Sequence, residues 1–121
     1  ACWSYKLFRI NAEIDREIDR FYSDTLGRYW DPERRLVETG YRTLSFPFRE
    51  MRSPRFEMET TWNFESMIGM LGSWSAVANF KKHEGYDPVT DITERLRTVW
   101  GDADQTREVC WALSMRLGRV F

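Results

Sequence analysis

The chain has 121 residues, of which 42% are hydrophobic and 16% aromatic, so it can form a packed domain and is not expected to be disordered. A formal net charge of −1 gives no bulk electrostatic case for nucleic acid or an anionic membrane as a partner. No apolar run approaches the roughly 20 residues that a membrane-spanning helix needs.

The first half of the chain predicts one strand followed by two helices. Cys2–Leu7 is short, aromatic and apolar, which is typical of a strand. Asn11 is a good N-cap for a helix that Gly27 could close in a left-handed conformation. Asp31-Pro32 predicts the start of a second, short helix that stops at Gly40.

The second half predicts a strand, three helices and a last strand. Apolar and polar residues alternate in Phe56–Thr61, which indicates a half-exposed strand. Asn63 predicts the cap of a helix that breaks near Ser73, and Asp87 the start of a later helix. The clearest strand begins at Val109. Three strands covered by four to five helices make a small α/β fold of one domain.

Motifs for hydrolysis or metal binding are missing, so no catalytic residue or metal ligand is assigned. His83 is the only histidine and lies in a charged loop, where a solvated role is expected. Zinc-type spacing of cysteine and histidine is absent. Cys2 and Cys110 do not make a disulfide framework, and both are expected to be reduced in a cytoplasmic protein.

Aromatic residues and a run of arginines are the candidates for a binding site. The aromatic residues fill a core, or they line a pocket that suits a flat or apolar substrate and could attract a sulfonium; they are Trp3, Tyr5, Tyr29, Trp30, Tyr41, Trp62, Trp74 and Trp111. The arginines are solvated, or they orient an acidic substrate; they are Arg42, Arg49, Arg52 and Arg55. Ser73 and Ser75 flank Trp74, and their hydroxyls cap or kink a helix, or line the same pocket.

Ten stretches, in this order and spacing, resemble the C-terminal half of class I S-adenosylmethionine-dependent methyltransferases of the trans-aconitate methyltransferase-like kind. They are Trp3–Tyr5, Arg20–Tyr22, Gly27–Trp30, Pro32–Arg35, Gly40–Arg42, Phe46–Phe48, Gly72–Ala76, Gly85–Pro88, Trp100–Gly101 and Leu117–Arg119. The resemblance covers nearly the whole chain. It implies a Rossmann-like fold in which Cys2–Leu7, Phe56–Thr61 and Val109–Phe121 are the last three strands, the last of them antiparallel between the other two.

The same resemblance implies where the cofactor and the substrate would bind. The glycine-rich turn and the ribose-binding acid of the family would lie upstream, so no residue here is expected to bind S-adenosylmethionine, and the chain alone is expected to be inactive. The residues that the resemblance and the composition together assign to a small-molecule substrate are Trp3, Tyr5, Tyr29, Trp30, Arg52, Trp74 and Ser75.

Two hypotheses of function follow. In the first, the chain is the substrate-side part of a methyltransferase, separated from its cofactor-binding part, because it starts with Ala1 directly before a strand. In the second, it is a non-catalytic interaction or small-ligand module with an aromatic pocket. Under the first hypothesis Cys2–Leu7 would lack a partner strand on one side, which predicts a homodimer through that edge.

Overall fold

The computed structural model describes residues 1–120, so Phe121 of the predicted last strand lies outside the described residues. The strands are β1 Cys2–Tyr5, β2 Arg49–Met51, β3 Phe56–Trp62 and β4 Arg107–Arg119. The α-helices are α1 Ala12–Arg20, α2 Arg34–Glu38, α3 Phe64–Gly72, α4 Ser75–Glu84 and α5 Pro88–Trp100. This element order confirms the predicted α/β class.

Helices α1, α3 and α5 begin where polar side chains satisfy their first free N–H groups. The Asn11 side-chain oxygen accepts the Ile14 N–H at 2.9 Å, and Asn63 accepts the Ser66 N–H at the same distance. Asp87 caps α5 in the same way. These short-range hydrogen bonds explain why the sequence predicted these three helix starts correctly. The predicted start of the second helix at Asp31-Pro32 is wrong: α2 begins at Arg34, and its N-cap residue Glu33 makes no side-chain capping hydrogen bond.

The predicted end of the first helix at Gly27 is wrong. Helix α1 ends at Arg20 and continues as a π-helical turn over Phe21–Thr25, followed by a 3-10 turn over Gly27–Tyr29. The Leu26 N–H donates to the Phe21 carbonyl oxygen at 3.0 Å, five residues back. This wider turn ends the helix without the left-handed residue that the sequence predicted at Gly27.

Strand β4 lies at the centre of the sheet. Strand β1 pairs antiparallel with it, with Cys2 opposite Arg116 and Tyr5 opposite Leu113. Strand β2 pairs antiparallel with the end of β4, and β3 also pairs with β4. The predicted central, antiparallel place of the last strand relative to the first is therefore confirmed.

Over the described residues the sheet has four strands, one more than the three predicted. The additional strand, β2, has three residues, and all three are exposed. It lies in the arginine-rich connection before β3, where no apolar alternation marks a strand. Because its pairing depends on β4 rather than on burial of its own side chains, the local sequence does not reveal it.

The two cysteines lie far apart along β4. Cys2 is opposite Arg116, whereas Cys110 forms a bridge with Arg9. Six residues of extended strand therefore separate the two positions, or about 20 Å. A disulfide needs Cα atoms within about 7 Å, so both thiols are free within one chain.

The chain divides into two compact units. The sheet unit consists of Ala1–Arg9, Pro32–Glu59 and the segment from Cys110 onward, and the helical unit consists of Ile10–Asp31 and Thr60–Val109. The helical unit has its own core of fully buried side chains: Ile14, Ile18, Leu26, Met67, Leu71, Leu96 and Trp100. That the chain forms one domain stays a prediction.

Candidate functional site

Three half-buried aromatic rings form a cluster in the helical unit. The rings of Tyr22 and Trp30 lie 4.6 Å apart between centroids, and Trp74 lies 5.5 Å from Trp30 and 5.9 Å from Tyr22. Phe21 stacks on Trp74 at 6.1 Å and is itself buried. These contacts make a partly exposed aromatic surface on a buried base, which we name the aromatic cluster (Tyr22, Trp30 and Trp74).

Irregular backbone places each member of the aromatic cluster. Tyr22 lies in the π-helical turn, and its carbonyl oxygen accepts the indole N–H of Trp30 at 3.0 Å. Trp74 occupies the extended residue before α4. Helix α4 is tied to the same region because the Asn79 side-chain amide donates to the Tyr29 carbonyl oxygen at 2.9 Å. Because single-turn π-helices recur at functional sites, this turn marks the aromatic cluster as a candidate site.

Tyr29 packs into the helical unit beside the aromatic cluster. Its ring is buried and contacts Phe80 edge-on at 4.9 Å between centroids. Its hydroxyl donates to the Glu84 carboxylate. The Arg28 guanidinium donates to the Tyr29 hydroxyl oxygen and to Glu84 Oε1, each at 2.7 Å. The Tyr29 hydrogen bond and the Arg28 guanidinium hold the pKa of Glu84 below its usual range. Through its hydroxyl, Tyr29 thus joins the 3-10 turn to the last turn of α4.

A second feature is an open cavity of about 1110 Å³ in the sheet unit. Its charged lining mixes both signs: Lys6, Arg42, Arg55 and Arg116 with Glu38, Glu50 and Glu57. Arg42 and Arg55 are exposed to solvent there. Arg52, which the sequence grouped with them as a substrate ligand, is exposed and is not part of this lining.

Arg116 forms one wall of the cavity. Its guanidinium binds both carboxylate oxygens of Glu50 at 3.1 Å and donates to the carbonyl oxygens of Tyr41 and Leu44 at 2.8 and 2.9 Å. It also lies over the Phe46 ring, 4.5 Å from the centroid. The pKa of Glu50 is lowered chiefly by its hydrogen bonds to Arg116. Four of its five N–H donors are used in these hydrogen bonds, so Arg116 fixes the wall. Lys6, Arg42 and Arg55 remain as the candidate ligands for an acidic group.

The structure divides the predicted substrate residues between the two units. Tyr29, Trp30, Trp74 and Ser75 belong to the helical unit, where Trp30 and Trp74 meet in the aromatic cluster and Ser75 is exposed at the start of α4. Trp3 and Tyr5 belong to the sheet unit and are 57% and 50% exposed on β1. Their roles as substrate ligands stay predictions.

Tyr22 was missed as a member of the site. It follows Ile14 and Ile18 at intervals of four residues, a spacing that predicts the buried stripe of a helix rather than a binding site. In the structure Tyr22 lies in the π-helical turn, is half-buried, and contacts the ring of Trp30. No sequence signal marks that turn.

Comparison with known proteins connects this fold to methyltransferases. The solved structure of a "Putative Type II Methyltransferase" from Anaeromyxobacter dehalogenans matches 98% of the chain, with a TM-score of 0.93 and 41% sequence identity. The chain is a methyltransferase-related region. The resemblance that the sequence indicated is thereby confirmed at this level, while the trans-aconitate-like kind stays a prediction.

A second relative agrees, and both relatives are longer than the methyltransferase-related region. A "Putative methyltransferase" of Dictyostelium discoideum is 29% identical over 105 residues, which are 84% of the chain. The region spans 40% of that protein's length and 51% of the Anaeromyxobacter chain. No protein-family model matches the region. Among residues 1–120, no helix has the length and apolarity to cross a membrane.

Proposed function

We propose that this region is the substrate side of an S-adenosylmethionine-dependent methyltransferase that acts on a small molecule. The observation that carries the proposal is the match of 98% of the chain to a structure named as a methyltransferase, at 41% identity. A cofactor-binding half supplied by the rest of the protein completes the proposed enzyme. A cytoplasmic location belongs to the same proposal and is supported by the two free cysteines.

The chemistry of methyl transfer suits the residues present. Displacement at a sulfonium methyl group has a good leaving group, so the protein mainly aligns the two reactants and excludes water. The aromatic cluster offers ring faces that attract a cationic or flat group. Arg42 and Arg55 offer guanidinium groups that can bind a carboxylate, which favours a carboxylic acid as the substrate.

The isolated region should show no binding of S-adenosylmethionine in the micromolar range. The physical reason is that, in residues 1–120, no glycine-rich turn leads from a strand into a helix, so none of these helices presents its N-terminus to the cofactor in the manner of dinucleotide-binding folds. Isothermal titration calorimetry of the purified chain measures this directly. A micromolar dissociation constant would contradict the proposed division of roles.

The proposal that this region binds the methyl acceptor is tested with the full-length protein. Transfer of labelled methyl groups from S-adenosylmethionine to a panel of small carboxylic acids and their amides should favour the acids. Trp74→Ala should raise the KM for the acceptor by roughly tenfold or more, since it removes a ring of the aromatic cluster. Tyr86→Ala, which removes a 52% exposed aromatic residue of the same unit, is the control and should leave KM unchanged.

The alternative function is a non-catalytic interaction or small-ligand module. The exposed rings of Trp3 and Tyr5 on β1 favour it, because large exposed aromatic groups are typical of binding surfaces. The labelled-methyl assay distinguishes the two functions: a module of this kind transfers no methyl group to any acceptor in the panel.

We also propose that the isolated chain pairs with a second copy through β1. Within residues 1–120, β1 pairs with β4 on one side and no strand covers its other side. Strand β1 carries exposed aromatic residues and no charged side chain, and such edge strands pair readily with another chain. Two antiparallel copies would satisfy two-fold symmetry. Light scattering over a range of concentrations should give the dimer mass, and Tyr5→Lys should shift it to the monomer. A monomer at every concentration would contradict the proposal.

A further inference from the structure

One loop of the sheet unit, residues 40–50, is held against β4 by Arg116. The Arg116 side chain is only 13% exposed. Its guanidinium donates to the Tyr41 carbonyl oxygen at 2.8 Å, to the Leu44 carbonyl oxygen at 2.9 Å and to both carboxylate oxygens of Glu50 at 3.1 Å. These contacts lie near the start, in the middle and at the end of the loop. A single side chain therefore fixes the whole segment, which we name the clamped loop (residues 40–50).

The backbone at the start of the clamped loop has an unfavourable conformation. Gly40 and Tyr41 both have positive φ angles, of 63° and 62°. The left-handed region is costly for Tyr41, which has a Cβ atom, so other contacts must hold the residue there. The hydrogen bond from Arg116 to the Tyr41 carbonyl oxygen is such a contact. Loss of that bond should therefore let the loop relax to a commoner backbone conformation.

Arg42, a candidate ligand for an acidic group, follows Tyr41 directly. The peptide group between the two residues is held at both ends. Arg116 donates to its carbonyl oxygen, and its N–H donates to the Thr39 carbonyl oxygen at 3.3 Å. Fixing this peptide group also fixes the Cα atom of Arg42, whose side chain lines the cavity. A guanidinium that is already in place loses less conformational freedom when it binds a carboxylate, so it binds more tightly.

We propose that Arg116 is a positioning residue that favours an acidic methyl acceptor by fixing Arg42 beside the cavity. This inference rests on the proposed function, in which Arg42 binds the carboxylate of the acceptor. Arg116 acts through the clamped loop rather than by direct contact, because four of its five N–H donors are used within the protein. Without Arg116 an acidic acceptor should lose a well-placed ligand, whereas a neutral acceptor should lose nothing.

Methyl transfer by the full-length protein measures this specificity. The probes are the acid of the panel with the highest kcat/KM and the amide of that acid. Arg116→Lys keeps the positive charge but loses the planar fork, so it should raise KM for the acid by roughly tenfold and leave kcat and the KM for the amide unchanged. Arg42→Gln should raise KM for the acid equally. The double variant should add no further rise, because Arg116 acts through Arg42.

Amide hydrogen exchange of the same protein measures the positioning without methyl transfer. The Tyr41 N–H donates to the Leu36 carbonyl oxygen at 2.7 Å, and the Leu44 N–H donates to the Tyr41 carbonyl oxygen at 3.1 Å. In Arg116→Lys these amides should exchange roughly tenfold faster or more, whereas the amides of α5 should keep the parent's rates. Glu50→Gln removes the charge of one partner and spares the two carbonyl contacts, so it should give a smaller acceleration. This milder variant carries the test if Arg116→Lys does not fold.

Arg97→Lys is the matched control. Like Arg116, Arg97 lies over a phenylalanine ring and pairs with a glutamate: its guanidinium is 4.9 Å from the Phe64 ring centroid and 3.7 Å from Glu94 Oε1. Arg97 belongs to the helical unit, so its substitution should change neither KM nor the exchange of the clamped loop. Circular dichroism of each variant shows whether it is folded.

Four results would overturn the proposal. They are an unchanged KM for the acid in Arg116→Lys, an equal rise for acid and amide, a rise that multiplies with that of Arg42→Gln, and unchanged exchange of the clamped loop in the Arg116 and Glu50 variants. If the parent transfers no methyl group, the proposed function fails, and the exchange rates alone decide whether Arg116 holds Arg42.

Discussion

Replacing Trp100 with alanine is expected to lower the free energy of unfolding of the helical unit by about 3–5 kcal/mol. Trp100 is fully buried and packs edge-on against Phe64 at 5.9 Å between centroids. Its indole N–H donates to the Gln105 carbonyl oxygen at 3.1 Å. The substitution removes a large buried surface and leaves that carbonyl oxygen without its donor. The expected loss of about 3–5 kcal/mol is a large share of the roughly 5–15 kcal/mol that stabilises a domain.

Urea denaturation followed by far-ultraviolet circular dichroism measures the effect of Trp100→Ala. Trp100→Phe keeps most of the packing but loses the hydrogen bond, so it should lie between the parent and the alanine variant. Trp3→Ala is the control, because Trp3 is 57% exposed and exposed substitutions usually change stability by under about 0.5 kcal/mol. If Trp100→Ala unfolds at the parent's urea concentration, Trp100 does not lie in the core.

The second large effect is expected from Gly118→Ala, which should destabilise the sheet unit by about 1–3 kcal/mol. A Cβ atom at Gly118 would lie 2.5 Å from Phe48 Cβ and 2.8 Å from Phe46 Cε1. These distances are far below van der Waals contact, so the segment that carries the two phenylalanines must move. Gly118 is also opposite Glu50 in the pairing of β4 with β2, so this pair of strands should be disturbed first.

Amide hydrogen exchange and urea denaturation together test the Gly118 prediction. Exchange should become faster at β2, and the urea midpoint should fall. Gly69→Ala is the matched control: Gly69 lies inside α3, and a Cβ there would meet no atom within 4 Å. It should stabilise the chain by up to about 1 kcal/mol, because alanine favours helices over glycine. Equal stability of the parent and Gly118→Ala would show that Phe46 and Phe48 do not pack against β4.

The residue pattern was sufficient where structure depends on near neighbours. Asn11 and Asn63 cap helices because a side-chain oxygen reaches an N–H three residues on, and this contact is written directly in the sequence. The alternation after Val109 predicted β4, whose side chains point to opposite faces in turn. The resemblance to methyltransferases rested on the order of such local stretches, and the comparisons confirm it.

Features that join distant segments were decided only by the tertiary structure. The three exposed residues of β2 form a strand because β4 supplies their hydrogen-bonding partners. The aromatic cluster depends on a π-helical turn that places Tyr22 against Trp30.

By itself the sequence thus determined the fold class, most helix starts, the central last strand and the relation to methyltransferases. The extra strand, the aromatic cluster, the charged cavity and the contacts of Arg116 with the clamped loop came only from the tertiary structure. The physical reason is the range of the forces involved. Caps and alternation act within a few residues, whereas strand pairing and side-chain clusters depend on which distant segments the buried core brings together.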